Sequence, residues 1–201
     1  MELFQSDNEE LLTIPGADIA FWRHVDFGNE QDLLDELIAT TPWRSEQITV
    51  WGKTYPQPRL IAWYGDNSQS YSYSGVTLNA LPMTPTLHRL KNKVEALSRI
   101  TFNSVLLNYY RDHRDGMGFH ADDEPELGPS PVIASVSFGE TRQFVMQHKS
   151  CKHVKNVKLP LPCGSLLLMK GATQANWKHG IPKISTPCGP RVNLTFRTIL
   201  P

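Results

Sequence analysis

The chain has 201 residues, 40% of them hydrophobic and 20% charged, the balance of a single globular domain long enough to bury its own core. No apolar run reaches the ~18 residues of a membrane span. The acidic start (Glu2, Asp7, Glu9, Glu10) is unlike a signal or transit peptide, and Cys151, Cys163 and Cys188 form no CxxC pair, which argues against a zinc ribbon or a disulfide framework. The net charge of zero hides an asymmetry, because residues 141–201 hold ten Lys or Arg and no acid, the footprint of a surface that meets phosphate.

In chain order, residues 1–14 are acidic and patternless and are expected to fray. Leu33, Leu34, Leu37 and Ile38 recur at helical spacing within Gln31–Thr41. Leu87, Leu90, Val94 and Leu97 do the same within Thr84–Arg99, so two amphipathic helices are expected. From Phe102 the texture changes to short apolar segments broken by Gly, Pro and Asp: 102–110, 132–138, 143–147, 154–159, 165–169 and 192–199. Many short strands after helices predict an α+β, mainly β, fold: a jelly roll with helices packed on one face. A single monomeric, intracellular domain without membrane contact is expected, cytoplasmic or, in a eukaryote, nuclear.

His120-Ala-Asp122 places an imidazole and a carboxylate at i and i+2, on the same side of an extended segment. A third ligand is available in His179, 59 residues later. Two histidines and one carboxylate on one side of an ion form the facial triad suited to non-haem Fe(II), with positions left open for co-substrate and O2. The HxD tripeptide is weak alone, and the other histidines, His24, His88, His113, His148 and His153, lack comparable company. More informative is Arg191-Val-Asn-Leu-Thr-Phe-Arg197. Its strand period puts Val192, Leu194 and Phe196 on one face and Arg191, Asn193, Thr195 and Arg197 on the other. A core-facing pair of arginines needs an anion, and a short dicarboxylate met at its two ends would satisfy both. Asn108 and Tyr110, again i and i+2, are placed to donate hydrogen bonds to the same ligand.

The series Asn108-x-Tyr110, His120-x-Asp122, His179 and Arg191 to Arg197 resembles the AlkB family of oxidative nucleic-acid demethylases. PRLIAWYGD (58–66), FHADDEPELG (119–128), ASVSFGETRQF (134–144) and GATQANWKHGIPK (171–183) are similar to the subgroup of human homologues 2 and 3. The resemblance implies a double-stranded β-helix, with helices and a nucleotide-recognition lid in 15–100 and the catalytic jelly roll in 101–201. It implies Fe(II) on His120, Asp122 and His179, and 2-oxoglutarate as co-substrate with O2. The far carboxylate of 2-oxoglutarate would meet Arg191, with Asn108, Tyr110, Thr195 and Arg197 lining the remainder. The implied reaction removes the methyl group of 1-methyladenine or 3-methylcytosine in single- or double-stranded DNA, with RNA as a near variant, and releases formaldehyde, succinate and CO2.

Such lesions carry positive charge, which Asp123 and Glu124, directly after the ligand Asp122, could meet; Asp123 could equally be paired with an arginine. Tyr71 and Tyr73 match aromatic positions of the lid, Trp63 and Tyr64 are weaker candidates, and Trp51 sits where duplex-active relatives carry an apolar wedge. Two other classes stay open: a 2-oxoglutarate oxygenase acting on a protein or small molecule, and a non-catalytic effector-binding jelly roll.

Overall fold

The structure is a computed structural model that describes the backbone of residues 9–50, 53–65, 70–73 and 76–200. It describes their side chains too, apart from 48–50, 53, 70–73 and 76–79. The elements run β1 (Glu9–Leu12), β2 (Asp18–Trp22), α1 (Glu30–Thr40), β3 (Gln47–Val50), β4 (Lys53–Pro56), β5 (Leu60–Gly65), β6 (Ser70–Tyr73), β7 (Val76–Asn79), β8 (Leu81–Pro82) and α2 (Pro85–Ser98). The second half adds β9 (Ser104–Tyr110), β10 (Met117–His120), a 3-10 turn (Pro125–Leu127), β11 (Ile133–Gly139), β12 (Arg142–His148), β13 (Val157–Leu161), β14 (Leu166–Lys170), α3 (Thr173–Asn176), β15 (Trp177–Ile181) and β16 (Arg191–Arg197). Among the described residues these strands form an eight-stranded sheet, β1-β2-β14-β11-β16-β9-β5-β8, facing a four-stranded sheet, β10-β15-β12-β13. Two hairpins, β3-β4 and β6-β7, stand apart.

The large sheet is buried on both faces, so its strands read as continuous apolar runs whose alternate residues serve different cores. Ala20, Trp22, Leu166, Leu168, Val192, Leu194 and Phe196 pack under Leu33, Leu34 and Leu37 of α1 and Leu87, Leu90 and Val94 of α2. Their neighbours Ile19, Phe21, Leu167 and Met169 point the other way, into the space between the sheets, with Phe144, Met146, Leu161 and Trp177. Each such side chain contributes about 1.5–3 kcal/mol by leaving water. This is the expected jelly roll with helices on one face, and both helices start where their caps dictate. Asn29 accepts from the backbone N–H groups of Gln31 and Asp32, while Thr84 accepts from that of Leu87 ahead of Pro85.

Two expectations need correction. Residues 9–12 are not frayed: they pair antiparallel with β2, Glu9 opposite Trp22 and Leu12 opposite Ile19. Backbone pairing at a sheet edge needs no apolar pattern, which is why Glu9, Glu10 and the exposed Leu11 concealed it. Trp63 and Tyr64 are core residues rather than base contacts. Each is 4% exposed, Trp63 between the sheets and Tyr64 under the helices.

Candidate metal centre and active site

The pocket opens between the two sheets and is lined from both. Asn108, Tyr110, Ser135, Arg191, Asn193 and Thr195 come from the large sheet, and Met117, His120, Phe144, Leu161, His179 and Ile181 from the small one. Register brings the candidate ligands together. β10 and β15 run antiparallel with His120 directly opposite His179, and the chain turns after His120 to bring Asp122 alongside. Gly180 lets the two strands approach this closely: a Cβ there would lie 2.8 Å from the carbonyl oxygen of Met117.

One donor atom from each of His120, Asp122 and His179 lies within 4.8 Å of the others, so the three can hold one ion. Nε2 of His179 is 3.6 Å from Asp122 Oδ2 and Nε2 of His120 is 3.9 Å from Oδ1. The Nδ1 of His120 lies 3.0 Å from the carbonyl oxygen of Gly118. A carbonyl only accepts, so the proton is assigned to Nδ1 and Nε2 is left for a metal. The His179 ring stacks on Phe144, with centroids 5.1 Å apart and planes at 24°.

Protonation states suit a cation. Burial, followed by the nearby His120, pushes the His179 pKa down to about 3, and burial also lowers that of His120 against the pull of Asp122. Both rings are therefore neutral at pH 7. Burial alone would raise the Asp122 pKa, but Arg197, His179 and His120 outweigh it and hold it at about 2. Arg197 is the strongest of these opposing groups, with Nη2 donating to Asp122 Oδ1 at 2.6 Å. This adds to the expectation that Arg191 and Arg197 meet one dicarboxylate, because Arg197, which also lines the pocket, already holds an acid of the protein through one N–H. Arg197 has an acid from a segment 75 residues away, and that acid is the candidate metal ligand.

Arg191 is different. It is 1% exposed, its Nη2 donates to Ser137 Oγ at 2.9 Å, and its guanidinium lies 5.0 Å from the centre of the Tyr110 ring. Its Nε and Nη1 have no hydrogen-bond partner among the described residues, and burial lowers its pKa. A buried guanidinium with two unused N–H directions facing a pocket fits the carboxylate end of an anion. The β16-β9 register sets Tyr110 opposite Arg191 and Asn108 opposite Asn193, so the expected set converges on the pocket. Asn108 accepts from Arg59 Nε at 2.8 Å, and Thr195 donates to Asn193 Oδ1 at 3.0 Å.

The candidate base contacts fare unevenly. Asp123 is paired, but with Lys149 at 2.8 Å rather than with an arginine. Glu124 is half-buried at the start of the 3-10 turn. The backbone places Tyr71 opposite Leu78 and Tyr73 opposite Val76 in the β6-β7 hairpin, and Trp51 lies outside the described residues.

Sequence reasoning missed Gln174. This side chain, 1% exposed, accepts the backbone N–H of Asp122 through Oε1 at 3.0 Å. Also missed was Arg142, a buried guanidinium that donates to the carbonyls of Asp112, Asp115 and Pro182 and so ties the loops before β10 and after β15. Neither has a local sequence signature, since each partner lies 27 or more residues away.

Comparison with known proteins agrees with this geometry. Residues 26–197 match the family described as the 2OG-Fe(II) oxygenase superfamily. Mouse alpha-ketoglutarate-dependent dioxygenase alkB homolog 3 is 46% identical over 185 residues, 88% of this chain and 64% of that protein. Human DNA oxidative demethylase ALKBH2 is 45% identical over 160 residues, 77% of this chain and 61% of that protein. The chain thus spans less than two thirds of the length of these relatives. The solved structure of OsALKBH1 superposes with a TM-score of 0.63 at 17% identity, covering 95% of this chain and 100% of that one, which supports the fold. With a matching family model over most of its length and relatives of this identity, the chain belongs to the AlkB family within the 2OG-Fe(II) oxygenase superfamily.

Proposed function

We propose that this chain is an Fe(II)- and 2-oxoglutarate-dependent dioxygenase that demethylates N-alkylated bases such as 1-methyladenine and 3-methylcytosine in DNA, single- or double-stranded, and in RNA. The observation that carries this reading is the pocket's two-part character: a triad of two neutral histidines and one ionised carboxylate at one end, and an uncompensated buried arginine at the other. When bound, the iron supplies, with 2-oxoglutarate and O2, the oxidising chemistry that hydroxylates the methyl group, which then leaves as formaldehyde alongside succinate and CO2. The chain's own residues do the positioning. Arg191 takes the far carboxylate of the co-substrate, with Tyr110, Asn108 and Thr195 along its length. Arg197 fixes the rotamer of Asp122, and the Gly118 carbonyl selects the tautomer of His120. Apolar walls from Leu161, Met169 and Ile181 keep bulk water from the reacting centre.

The names of the relatives support a nucleic-acid substrate, as does the acid-free basic stretch from 141 to 201. A target base must leave its stack to enter such a pocket, and Tyr71, Tyr73 and Glu124 are the groups proposed to receive it, with Trp51 filling the gap in a duplex. Residues 15–201, with β1 (Glu9–Leu12) added at the sheet edge, would act as one monomeric catalytic domain, with helices and the nucleotide-recognition lid in 15–100 and the jelly-roll core in 101–201, working in the cytoplasm or nucleus. Among the described residues no helix is long and apolar enough to cross a membrane.

The test supplies purified protein with Fe(II), ascorbate and 2-oxoglutarate and follows, by mass, the loss of one methylene from DNA and RNA oligonucleotides carrying either lesion. Demethylation abolished by His120→Ala, Asp122→Ala or His179→Ala is expected. Succinate release without change in any oligonucleotide would move the substrate to a protein or small molecule, and no succinate at all would overturn the reading.

A further inference from the structure

Two asparagines stand opposite each other on β9 and β16 in the wall of the pocket, and the protein uses them differently. Asn193 commits both ends of its amide internally. Its Nδ2 donates to Ser135 Oγ and to the carbonyl oxygen of Val136, each at 2.8 Å, and its Oδ1 accepts from Thr195 at 3.0 Å. Asn108, which is 2% exposed, commits its oxygen, and to a donor of one kind: Oδ1 accepts from Arg59 Nε at 2.8 Å. A guanidinium has only hydrogens to give, so the amide oxygen has to turn towards Arg59, and the NH2 is the end left for the pocket. Arg59 is itself firmly placed. It is 5% exposed and lies just ahead of β5, between Pro58, whose carbonyl accepts the N–H of Gly116 at 2.8 Å, and Leu60, which pairs opposite Tyr109.

We propose that Arg59 is a positioning residue for the co-substrate: by taking Asn108 Oδ1 it fixes the flip of that amide, so that Nδ2 turns its N–H donors to 2-oxoglutarate. This rests on the reading that Asn108 lines the 2-oxoglutarate site. The two carboxylates and the keto group of that ligand offer only acceptors, so an Asn108 turned the other way would set oxygen against oxygen. The role parallels that of the Gly118 carbonyl, which selects the tautomer of His120. In each case a fixed neighbour decides which end of a two-ended side chain faces the ligand.

Two substitutions separate the hydrogen bond from the charge. Arg59→Gln removes the charge but keeps an N–H donor at the position of Nε, whereas Arg59→Met removes charge and donor together and keeps the length of the chain. 2-Oxoglutarate is titrated into the Mn(II)-loaded proteins by calorimetry, beside Mn(II) binding alone and urea denaturation. Arg59→Met should weaken 2-oxoglutarate binding by about tenfold with Mn(II) affinity unchanged, while Arg59→Gln should stay within about threefold of the parent. In an Asn108→Ala background, Arg59→Met should cost no more than about twofold further, because no amide is left to aim. Asn108→Asp tests the same point with Arg59 in place. It keeps the acceptor, gives the guanidinium a charged partner and puts oxygen where the NH2 was, so folding should hold while 2-oxoglutarate binding falls by at least about tenfold. Equal losses in the Gln and Met variants would assign the effect to charge, and additive losses in the double variant would mean that Arg59 acts without Asn108. Either result overturns the proposal, as does undiminished binding in Arg59→Met or Asn108→Asp. A parent protein that binds no 2-oxoglutarate overturns the co-substrate reading as well.

Discussion

The two ends of the pocket hold one buried arginine each and treat it in opposite ways. Arg197 spends its charge inside the protein, on Asp122 at 2.6 Å, whereas Arg191 has a serine hydroxyl and an aromatic face but no carboxylate. One end is an internally neutralised pair ready to accept a cation, and the other is a buried positive charge whose natural complement is an anionic ligand. Two neutral histidines, Asp122, Arg197 and Arg191 sum to one positive charge, so a divalent metal and a dianionic co-substrate would each make the other's binding more favourable.

The largest effect that could break this contrast is on folding. Asp122→Ala removes the carboxylate to which Arg197, 3% exposed, donates, and breaking a buried ion pair by removing one member costs about 3–5 kcal/mol. Urea denaturation of the metal-free protein should show a loss of that order, added to the loss of metal binding. His120→Ala, whose ring is partly open to the mouth, should cost visibly less. Equal losses in the two variants would mean that Arg197 draws its stability from elsewhere.

The opposite end should respond with the opposite balance. Arg191→Met removes a charge the apo fold pays to bury, together with one hydrogen bond and one ring contact, so its folding stability should stay within about 1 kcal/mol of the parent. Binding of 2-oxoglutarate to the Mn(II)-loaded protein, measured by calorimetry, should nevertheless weaken by about a hundredfold, the range for losing a charge-assisted buried pair. A large loss of stability with unchanged 2-oxoglutarate affinity would reverse the assignment of the two ends.

These two ends also differ in how far the chain alone discloses them. The two-residue period of 191–197 places Arg191, Asn193, Thr195 and Arg197 on one face without any structure, and α1 and α2 follow from leucine spacing and their caps. The partner of Arg197 was hidden because Asp122 lies 75 residues away, and nothing local in either segment announces the pair. β10 and β15 were hidden for another reason. Met117-Gly-Phe-His120 and Trp177-Lys-His-Gly-Ile181 mix glycine, ligand and exposed residues, so function overrides the alternation that marks an ordinary strand. Asp123 was legible as an acid beside the metal ligand, but its partner Lys149 could be found only in three dimensions.

Acidity probes the metal end specifically. His179 titrates at about 3 when folded, pushed there first by burial, against an unfolded value near ~6.5. Its contribution to stability is therefore complete above pH ~6.5 and is lost progressively as pH falls towards about 3, by at most ~1.4 kcal/mol per pH unit. His120 shifts in the same direction and adds to the slope. Asp122, held at about 2, keeps its full contribution above its unfolded value of ~3.9 and loses it only as pH falls from there towards about 2, so the first losses on acidification belong to the histidines. Denaturation midpoints of the metal-free protein between pH 7 and 5 should fall, and His179→Gln should flatten the curve. A slope unchanged by that substitution would place the titrating group elsewhere.

The smallest predicted effect concerns Gln174, which acts on Asp122 from the backbone side. Arg197 sets where one carboxylate oxygen points, but the position of the chain that carries it depends on an amide N–H with Gln174 Oε1 as its acceptor at 3.0 Å. Gln174→Leu keeps the volume and strands that N–H in a dry site, which costs about 1–2 kcal/mol. Gln174→Glu retains an acceptor oxygen in the same place. If the glutamine is merely core filling, leucine should be the milder change and glutamate, a buried acid beside Asp122, the harsher one. If it positions Asp122, leucine should weaken Mn(II) binding several-fold, out of proportion to its effect on stability, while glutamate preserves or strengthens the metal site. Mn(II) titration read beside urea denaturation for both variants separates the two, because a loss confined to folding would leave the affinity of the folded fraction unchanged.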